Sequence, residues 1–415
     1  MLGREPRLLS LVVGVIGALG IIACGRREGE SGTSASTASA KARASTSAPT
    51  PPIVASATAH RRDPSEPTVL DESPMDGGLP GIALRELSDV GPAGPATATE
   101  DGVVMLTKSG HVALARVAKG PVRKGKIGSV SEPSTAFAVL GRSPAVAGGF
   151  AYWVTGGRLV RRRADGSGEL EPLSDDARDG TRVAAAAIKT GVAVAYVTRP
   201  DAEGTSRVKL WLGPGRTVTL TPEGAGASSV AIAPLDARLI AVSIDARSAM
   251  TPVHARSISV DGAGPPELGP DVVAWIAGPA HSFTEVSAGS DGTNAWALLP
   301  IERDASHFGL ATVPLGSEPA MDAPVAFLDY ENGIDLAPVA TARLCGKPYV
   351  ALARPTAAAP HSPQELVLAP IAGGQTAIVA NAAGFAAVSL AAVPEGGLVV
   401  YVADGRTWAR GLECR

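Results

Sequence analysis

The sequence predicts an all-β fold made of small antiparallel sheets that are repeated about seven times. Two observations lead to this prediction. Residues 148–174 alternate short strand-like runs with glycine-rich turns, and apolar strand-like runs return about every 50 residues as far as the C-terminus. Residues 148–174 also lack the 3.6-residue apolar period of a helix. We therefore expect the chain after about residue 80 to consist of strands and turns.

Residues 148–174 show the repeated unit most clearly. Residues 150–155 are aromatic and β-branched, a composition that suits a pleated sheet. Gly156 and Gly157 then allow the positive φ angles of a two-residue hairpin turn. The remaining segments are a returning strand at residues 159–163, a turn at 165–168 and a short edge strand at 170–173.

One strongly apolar strand in each unit gives the repeat spacing. These strands are centred on Val104, Tyr152, Ala195, Ala241, Trp296, Val350 and Val400. A spacing of about 50 residues is typical of four-stranded β-propeller blades. We therefore predict a seven-bladed β-propeller, with six or eight blades as neighbouring alternatives. Two tandem β-sandwiches are the main competing fold, because sandwiches also contain short strands and frequent turns.

The two ends of the repeat region predict how the ring closes. The last unit has strands near residues 387–391, 398–402 and 407–412 and lacks a fourth strand after them. Residues 82–87 precede the first complete unit and are suited to supply that strand. Such an exchange joins the first and last parts of the chain and leaves no open seam in the ring.

The fourth unit resembles the repeats of TolB-like and WD40-like bacterial propellers. In those repeats a Ser-Pro-Asp-Gly turn precedes an apolar strand, and an Asp-Gly turn precedes a closing Leu-Thr pair. Here residues 233–236 (Ala-Pro-Leu-Asp) stand in place of the first turn, and Leu268 and Gly269 stand in place of the closing pair. The resemblance implies a propeller fold and carries no information about partners.

The first 24 residues are organised as an export signal. Arg4 and Arg7 precede an apolar run of roughly 16 residues, shorter than the ~20 that a membrane-spanning helix needs. The run ends in Ile-Ile-Ala-Cys, which resembles the lipobox of bacterial lipoproteins. The resemblance implies that residues 1–23 are a cleaved signal peptide and that Cys24 is acylated as the first mature residue. A plain signal peptide and an uncleaved anchor are the alternatives.

The next segment, residues 24–78, is predicted to be a disordered tether. It is rich in Ser, Thr, Ala and Pro and cannot bury enough apolar surface to offset the loss of chain entropy. Random-coil scaling gives such a tether a reach of roughly 40 Å. Residues 79–415 form the predicted propeller domain.

Two cysteines remain besides Cys24. Cys345 precedes the apolar strand of the sixth unit, and Cys414 follows the last strand of the seventh. Because export compartments allow disulfides, we predict a Cys345–Cys414 bond between neighbouring blades. Two free buried thiols are the alternative. A redox-active pair is disfavoured, because the two residues do not form a Cys-x-x-Cys motif.

The sequence contains no catalytic, cofactor-binding or metal-binding motif. The domain histidines, at positions 111, 254, 281, 307 and 361, are too far apart for a short-spaced zinc motif. A nucleophile elbow and a phosphate-binding loop are also absent from the sequence. The densest carboxylate group is Asp329, Glu331 and Asp335, around an Asn-Gly turn. We expect these carboxylates to be structural, with a catalytic role as the alternative. We also expect the histidines to be structural or on the surface, with a site assembled from several blades as the alternative.

Two further residue groups are candidate binding surfaces. The sharpest basic cluster is formed by Arg158, Arg161, Arg162 and Arg163, joined by Arg116, Lys119, Arg123, Lys124 and Lys126. We expect it to be a solvated face, with a patch for an anionic surface as the alternative.

The five tryptophans are Trp153, Trp211, Trp275, Trp296 and Trp408. We expect them to pack between blades, with carbohydrate stacking as the alternative.

These features predict a bacterial envelope lipoprotein, anchored by lipid on the outer membrane, whose propeller is a non-catalytic scaffold that binds protein or glycan. The competing function is a propeller enzyme, a hydrolase or lyase acting on envelope glycans or peptides. Nucleic-acid binding is disfavoured, because 40 acidic residues outnumber 37 Lys and Arg. We expect a monomer without a cofactor that contacts the membrane through Cys24.

Overall fold

The computed structural model describes residues 78–79, 81–106, 112–116, 143–245, 247–248, 251–260, 264–276, 285–304, 307–316, 326–330, 339–356, 362–372 and 375–415. Every element in these residues is a β-strand, and the strands form seven separate sheets. No helix in these ranges is long and apolar enough to cross a membrane. The predicted signal peptide, Cys24 and residues 24–77 of the predicted tether lie outside them.

The first three sheets are made of strands that are consecutive in the chain and antiparallel. Blade 1 contains β3 (Ala96–Thr99), β4 (Gly102–Leu106) and β5 (Val112–Arg116). Blade 2 contains β6 (Ala145–Ala147), β7 (Phe150–Thr155), β8 (Arg158–Arg163) and β9 (Glu171–Ser174). Blade 3 contains β10 (Ala184–Ile188), β11 (Gly191–Val197), β12 (Val208–Trp211) and β13 (Thr217–Thr219).

The next three sheets have the same order of strands. Blade 4 contains β14 (Ser229–Leu235), β15 (Arg238–Ile244), β16 (Pro252–Ser259) and β17 (Glu267–Ile276). Blade 5 contains β18 (Ser287–Ser290), β19 (Ala295–Asp304), β20 (His307–Leu315) and β21 (Ala326–Tyr330). Blade 6 contains β22 (Val339–Leu344), β23 (Lys347–Pro355), β24 (Gln364–Pro370) and β25 (Ala377–Ala382).

Blade 7 joins the two ends of the domain. Its last three strands in the chain are β26 (Phe385–Val393), β27 (Gly396–Ala403) and β28 (Arg406–Cys414), and β1 (Gly78–Leu79) and β2 (Ile82–Pro92) precede blade 1. The sheet order is β1-β2-β28-β27-β26, and β2 pairs antiparallel with β28 from Ile82 opposite Cys414 to Pro92 opposite Arg406. The predicted closure by the N-terminal strand is therefore confirmed.

The first strands of the seven blades lie next to one another around a central axis. In cyclic order these inner strands are β3, β6, β10, β14, β18, β22 and β26, and β26 contacts β3 again. The protein is thus a closed seven-bladed β-propeller, as the repeat spacing predicts. The seven predicted apolar centres all lie in the second strand of a blade: β4, β7, β11, β15, β19, β23 and β27.

The hydrophobic core consists of seven clusters, and each cluster fills one interface between neighbouring blades. Second strands are buried on both faces because they lie between two blades; all five residues of β4 are buried, for example. The tryptophans occupy five different interfaces: Trp153 between blades 1 and 2, Trp211 between 2 and 3, Trp275 between 4 and 5, Trp296 between 5 and 6, and Trp408 between 6 and 7. Their role is inter-blade packing, as expected.

The two faces of the ring differ in the length of their connections. One face carries the tight turns between the first and second strands of each blade, such as Gly148-Gly149 at φ +57° and +76°. This is the short-turn face. The opposite face carries longer connections, including residues 175–183, 198–207 and 220–228. This is the long-loop face.

A disulfide joins Cys345 and Cys414, which are 69 positions apart in sequence and have their Cα atoms 5.6 Å apart. Cys345 lies in the turn between β22 and β23, and Cys414 ends β28 opposite Ile82 of β2. The bond therefore ties blade 6 to blade 7 at the point where the N-terminal strand joins the sheet.

Removal of the disulfide is expected to destabilise the domain. A Cys345→Ser/Cys414→Ser variant should lose roughly 2–4 kcal/mol of unfolding free energy, because the reduced unfolded chain regains loop entropy. Urea unfolding with and without reductant measures this loss, and reductant should shift the wild type but leave the variant unchanged. A variant as stable as the oxidised wild type, or free thiols at both cysteines in the mature protein, would contradict the prediction.

Candidate functional site

The central channel is lined by the inner strands and is the first candidate site. Toward the long-loop face it forms a cavity of about 210 Å³. Apart from Arg182, the lining side chains are small, hydroxyl-bearing or aliphatic: they include Thr97, Ser143, Ala184, Ile232, Ser287, Thr341 and Ser389. None of the described lining residues is Asp, Glu or His.

The hydroxyl groups of the channel are used to join neighbouring inner strands. Ser389 Oγ accepts a hydrogen bond from the amide of Ala98 (2.9 Å), which links β26 to β3. Thr341 Oγ1 donates to the carbonyl oxygen of Ala288 (3.1 Å), which links β22 to β18. Because these hydroxyls already have backbone partners, they position the strands and are poorly placed to act as nucleophiles.

Among the described residues that line the channel, Arg182 carries a charge. It precedes β10, and its guanidinium group donates a 3.1 Å hydrogen bond to Ser287 Oγ of β18, two blades further on. Glu285 lies 3.9 Å from the same guanidinium group, and both side chains are about three-quarters buried. Arg182 therefore bridges blades 3 and 5 across the inner strand of blade 4.

A polar cluster lies between blades 2 and 3, near the long-loop face. The Tyr196 hydroxyl lies 3.0 Å from Ser174 Oγ and 3.1 Å from Asp176 Oδ1, and Lys209 Nζ lies 2.5 Å from Asp176 Oδ2. Burial acts to raise the pKa of Asp176, but hydrogen bonds from Lys209 and Ser174 outweigh it and lower that pKa. Burial raises the pKa of Tyr196. Because Asp176 holds Lys209 as an ion pair, the cluster contains no free general base and acts as a structural link between blades.

Two of the four arginines in the predicted cluster on β8 are paired with carboxylates. Arg161 makes two hydrogen bonds to Glu171, at 2.8 and 3.0 Å, and its guanidinium carbon lies 5.4 Å from the ring centroid of Trp211. Arg163 lies 3.9 Å from Asp165. This pairing lowers the positive charge of the face, on which Arg158 is exposed. Lys119, Arg123, Lys124 and Lys126 lie outside the described residues.

Among the described histidines, His254 forms an ion pair: its Nδ1 lies 2.6 Å from Asp271 Oδ2 on the neighbouring strand β17. The hydrogen bond to Asp271 raises the pKa of His254 against the opposing effect of burial; the charge of Asp245 adds to this rise and Arg256 opposes it. The pair lies on the side of a blade rather than in the channel.

The remaining sequence candidates are not brought together in the described part of the chain. Asp329 lies on β21, the outermost strand of blade 5, while Glu331 and Asp335 lie outside the described residues. His111, His281 and His361 also lie outside, and His307 is described only as part of β20. Among the residues that the structure describes, no group of three His, Cys, Asp or Glu side chains could hold a metal ion.

Sequence reasoning did not find Arg182 and Glu285. They are about 100 residues apart, and neither belongs to a local motif. The signal that would find them is structural: Arg182 precedes the inner strand of blade 3, and Glu285 precedes the inner strand of blade 5.

No protein-family model and no curated protein matches the chain. Among solved structures, the chain is similar to the Myceliophteria thermophila Cps50 (Swd1) β-propeller domain, with 12% identity, 79% of this chain and 98% of that chain covered, and a TM-score of 0.42. It is also similar to a TolB from Agrobacterium tumefaciens, with 12% identity, 65% of this chain and 87% of that chain covered, and a TM-score of 0.35. A third similar structure is the six-bladed Aleuria aurantia lectin, with 11% identity, 64% of this chain and 89% of that chain covered, and a TM-score of 0.37. Similarity at this level carries no information about function.

The His254–Asp271 pair predicts a pH-dependent part of the stability. Because the folded pKa of His254 lies above its unfolded value of about 6.5, the pair stabilises the fold fully below that pH. The stabilisation is lost as the pH rises through the folded pKa. The difference in unfolding free energy between wild type and His254→Gln, measured with urea at a series of pH values, should therefore shrink as the pH rises. A difference that does not change with pH would contradict this assignment.

Proposed function

We propose that this protein is a lipid-anchored lipoprotein of the bacterial cell envelope whose propeller is a non-catalytic scaffold that binds protein or glycan. The observation that carries the proposal is the closed ring of inner strands, whose channel cavity toward the long-loop face is lined by small, aliphatic and hydroxyl-bearing side chains together with Arg182. Such a ring is a rigid support for two loop-bearing faces, and rigid presentation lowers the entropic cost of binding.

The chemistry of the channel supports binding rather than turnover. A glycosidase needs two carboxyl groups facing the scissile bond, and general acid–base chemistry needs a titratable group within hydrogen-bond reach of the substrate. Beside the channel cavity toward the long-loop face, Glu285 lies 3.9 Å from Arg182. The serine and threonine hydroxyls that join the inner strands have no neighbouring base among the described lining residues.

The anchor is the second part of the proposal. Cys24 would hold the mature chain on the outer membrane, and residues 25–77 would separate the lipid from the propeller. More than one acyl chain is needed for stable membrane attachment, which multiple acylation of a lipobox cysteine supplies. The protein would then act as a monomer that presents its propeller to partners in the envelope.

A Cys24→Ala variant tests the anchor. It is expected to remain unprocessed or to leave the membrane, because the acylation site is absent. Fractionation and intact mass of the amino terminus measure the outcome, with a Cys345→Ser/Cys414→Ser variant as the control that keeps the lipid. A wild-type protein that is processed and membrane-bound without acyl chains would refute lipidation.

The binding role is tested by following binding and turnover in the same sample. The purified lipidated protein is incubated with peptidoglycan sacculi, lipopolysaccharide and envelope proteins, and co-sedimentation and new reducing ends or amino groups are measured. We expect saturable binding to one of these classes without new products. Product formation that an Arg182→Gln or Glu285→Gln variant abolishes would replace the scaffold proposal with the enzyme function.

A further inference from the structure

Two recesses on the short-turn face flank the turn of blade 1, residues 99–102. One lies between blades 7 and 1 and encloses about 180 Å³. The other is lined by blades 7, 1 and 2, encloses about 660 Å³ and shares Thr97, Ser389 and Leu390 with the channel cavity. Glu100 lines both recesses, which flank the turn, and we call the two recesses together the seam groove. The larger recess lies within the range of about 300–1,000 Å³ that ligand pockets occupy.

Glycines line both recesses of the seam groove. Gly411 on β28 lets the stem of Arg85 lie across the strand, since an added Cβ would come within 3.0 Å of Arg85 Cδ. On the other side, Gly148 and Gly149 form the turn between β6 and β7. A Cβ added to Gly148 would point toward blade 3 and lie only 2.5 Å from Val192 Cγ2. Gly148 and Gly149 therefore bring no side chain of their own into the larger recess.

The floor of the seam groove is aliphatic. Val393 and Leu398 line the smaller recess beside Pro394, and Leu114 and Val146 line the larger one. Val393, Leu114 and Val146 are only partly buried. This floor suits the methylene stems of long side chains, which pack on apolar surface and hold their charged ends toward water.

The rim of the seam groove is acidic. Its charged lining consists of four carboxylates, Glu100, Asp101, Asp165 and Glu395, and two guanidinium groups, Arg85 and Arg163. Arg85 lies 3.3 Å from Glu395 and 3.3 Å from Glu413, and Arg163 lies 3.9 Å from Asp165, so the cations are already paired. Glu100 and Asp101 are exposed, and neither forms an ion pair within the described residues.

The same lining disfavours other ligands. Glycan sites use exposed aromatic faces, but the five tryptophans all lie in or against inter-blade clusters, and none lines either recess. Anionic polymers such as lipopolysaccharide would meet the unpaired carboxylates of Glu100 and Asp101. The aliphatic floor and acidic rim together match a cationic chain that also carries apolar groups.

We propose that the seam groove docks a basic peptide segment of a partner protein, with Lys or Arg heads at Glu100 and Asp101 and apolar side chains on the floor. This assignment rests on the proposed binding role and names the class of partner. The groove lies beside the β2–β28 pairing, so the partner would bind near the strand at which the N-terminal segment joins the propeller.

The test is a titration of the full-length lipidated protein, in neutral detergent, with a fluorescein-labelled octapeptide of alternating Lys and apolar residues. A counterpart peptide with Glu in place of Lys is the ligand control. A Glu100→Lys/Asp101→Lys variant should weaken binding of the basic peptide by about tenfold or more, because two attractive charges become repulsive. An Asp179→Lys/Glu223→Lys variant changes net charge equally on the long-loop face and should stay within about twofold of wild type.

Thermal unfolding of both variants confirms that each is folded. Equal weakening by the two variants, or equal affinity for the acidic peptide, would overturn the seam-groove assignment. Failure of the basic peptide to bind while sacculi or lipopolysaccharide bind would also overturn it and would leave the scaffold function standing. Product formation from an envelope substrate would refute the scaffold function instead, whatever the peptide does.

Discussion

The antiparallel pairing of β2 with β28 is the interaction on which the rest of the structure depends. It runs along nearly the whole of both strands and gives blade 7 its fourth strand from the opposite end of the chain. Ile82 at the start of β2 packs with Tyr401 and Leu412 in the cluster between blades 6 and 7, while Val90 near its end packs between blades 7 and 1. The N-terminal strand therefore contributes to both interfaces that close the ring.

Ring closure also brings the disulfide and the ion pairs of Arg85 to the same end of blade 7. The disulfide ends at Cys414, directly opposite Ile82, and Arg85 of β2 connects Glu413 with Glu395 of the neighbouring turn. The seam groove begins at the same turn. The strand that closes the ring thus also shapes the proposed docking surface, so loss of the pairing would remove the fold and the groove together.

The sequence predicts second strands well and inner strands poorly. Second strands such as β7 and β15 are buried on both faces, so they are rich in Val, Ile and aromatic residues and stand out at regular spacing. Inner strands such as β6 (Ala-Val-Ala) and β18 (Ser-Ala-Gly-Ser) carry small residues because they crowd around the axis, and such segments resemble turns. The channel and the seam groove are built from these segments and from turns far apart in sequence, which is why no local pattern predicts Arg182 or the role of Glu100.

Hydrogen–deuterium exchange of the intact protein tests ring closure most directly. The amides of residues 82–91 that hydrogen-bond to β28, and those of residues 406–414, should be as strongly protected as those of β27, because all three strands belong to one sheet and open together with it. Fast exchange in residues 82–92 beside a protected β27 would show that the N-terminal strand does not close the propeller, and it would contradict the closed ring on which the fold and the seam groove both depend.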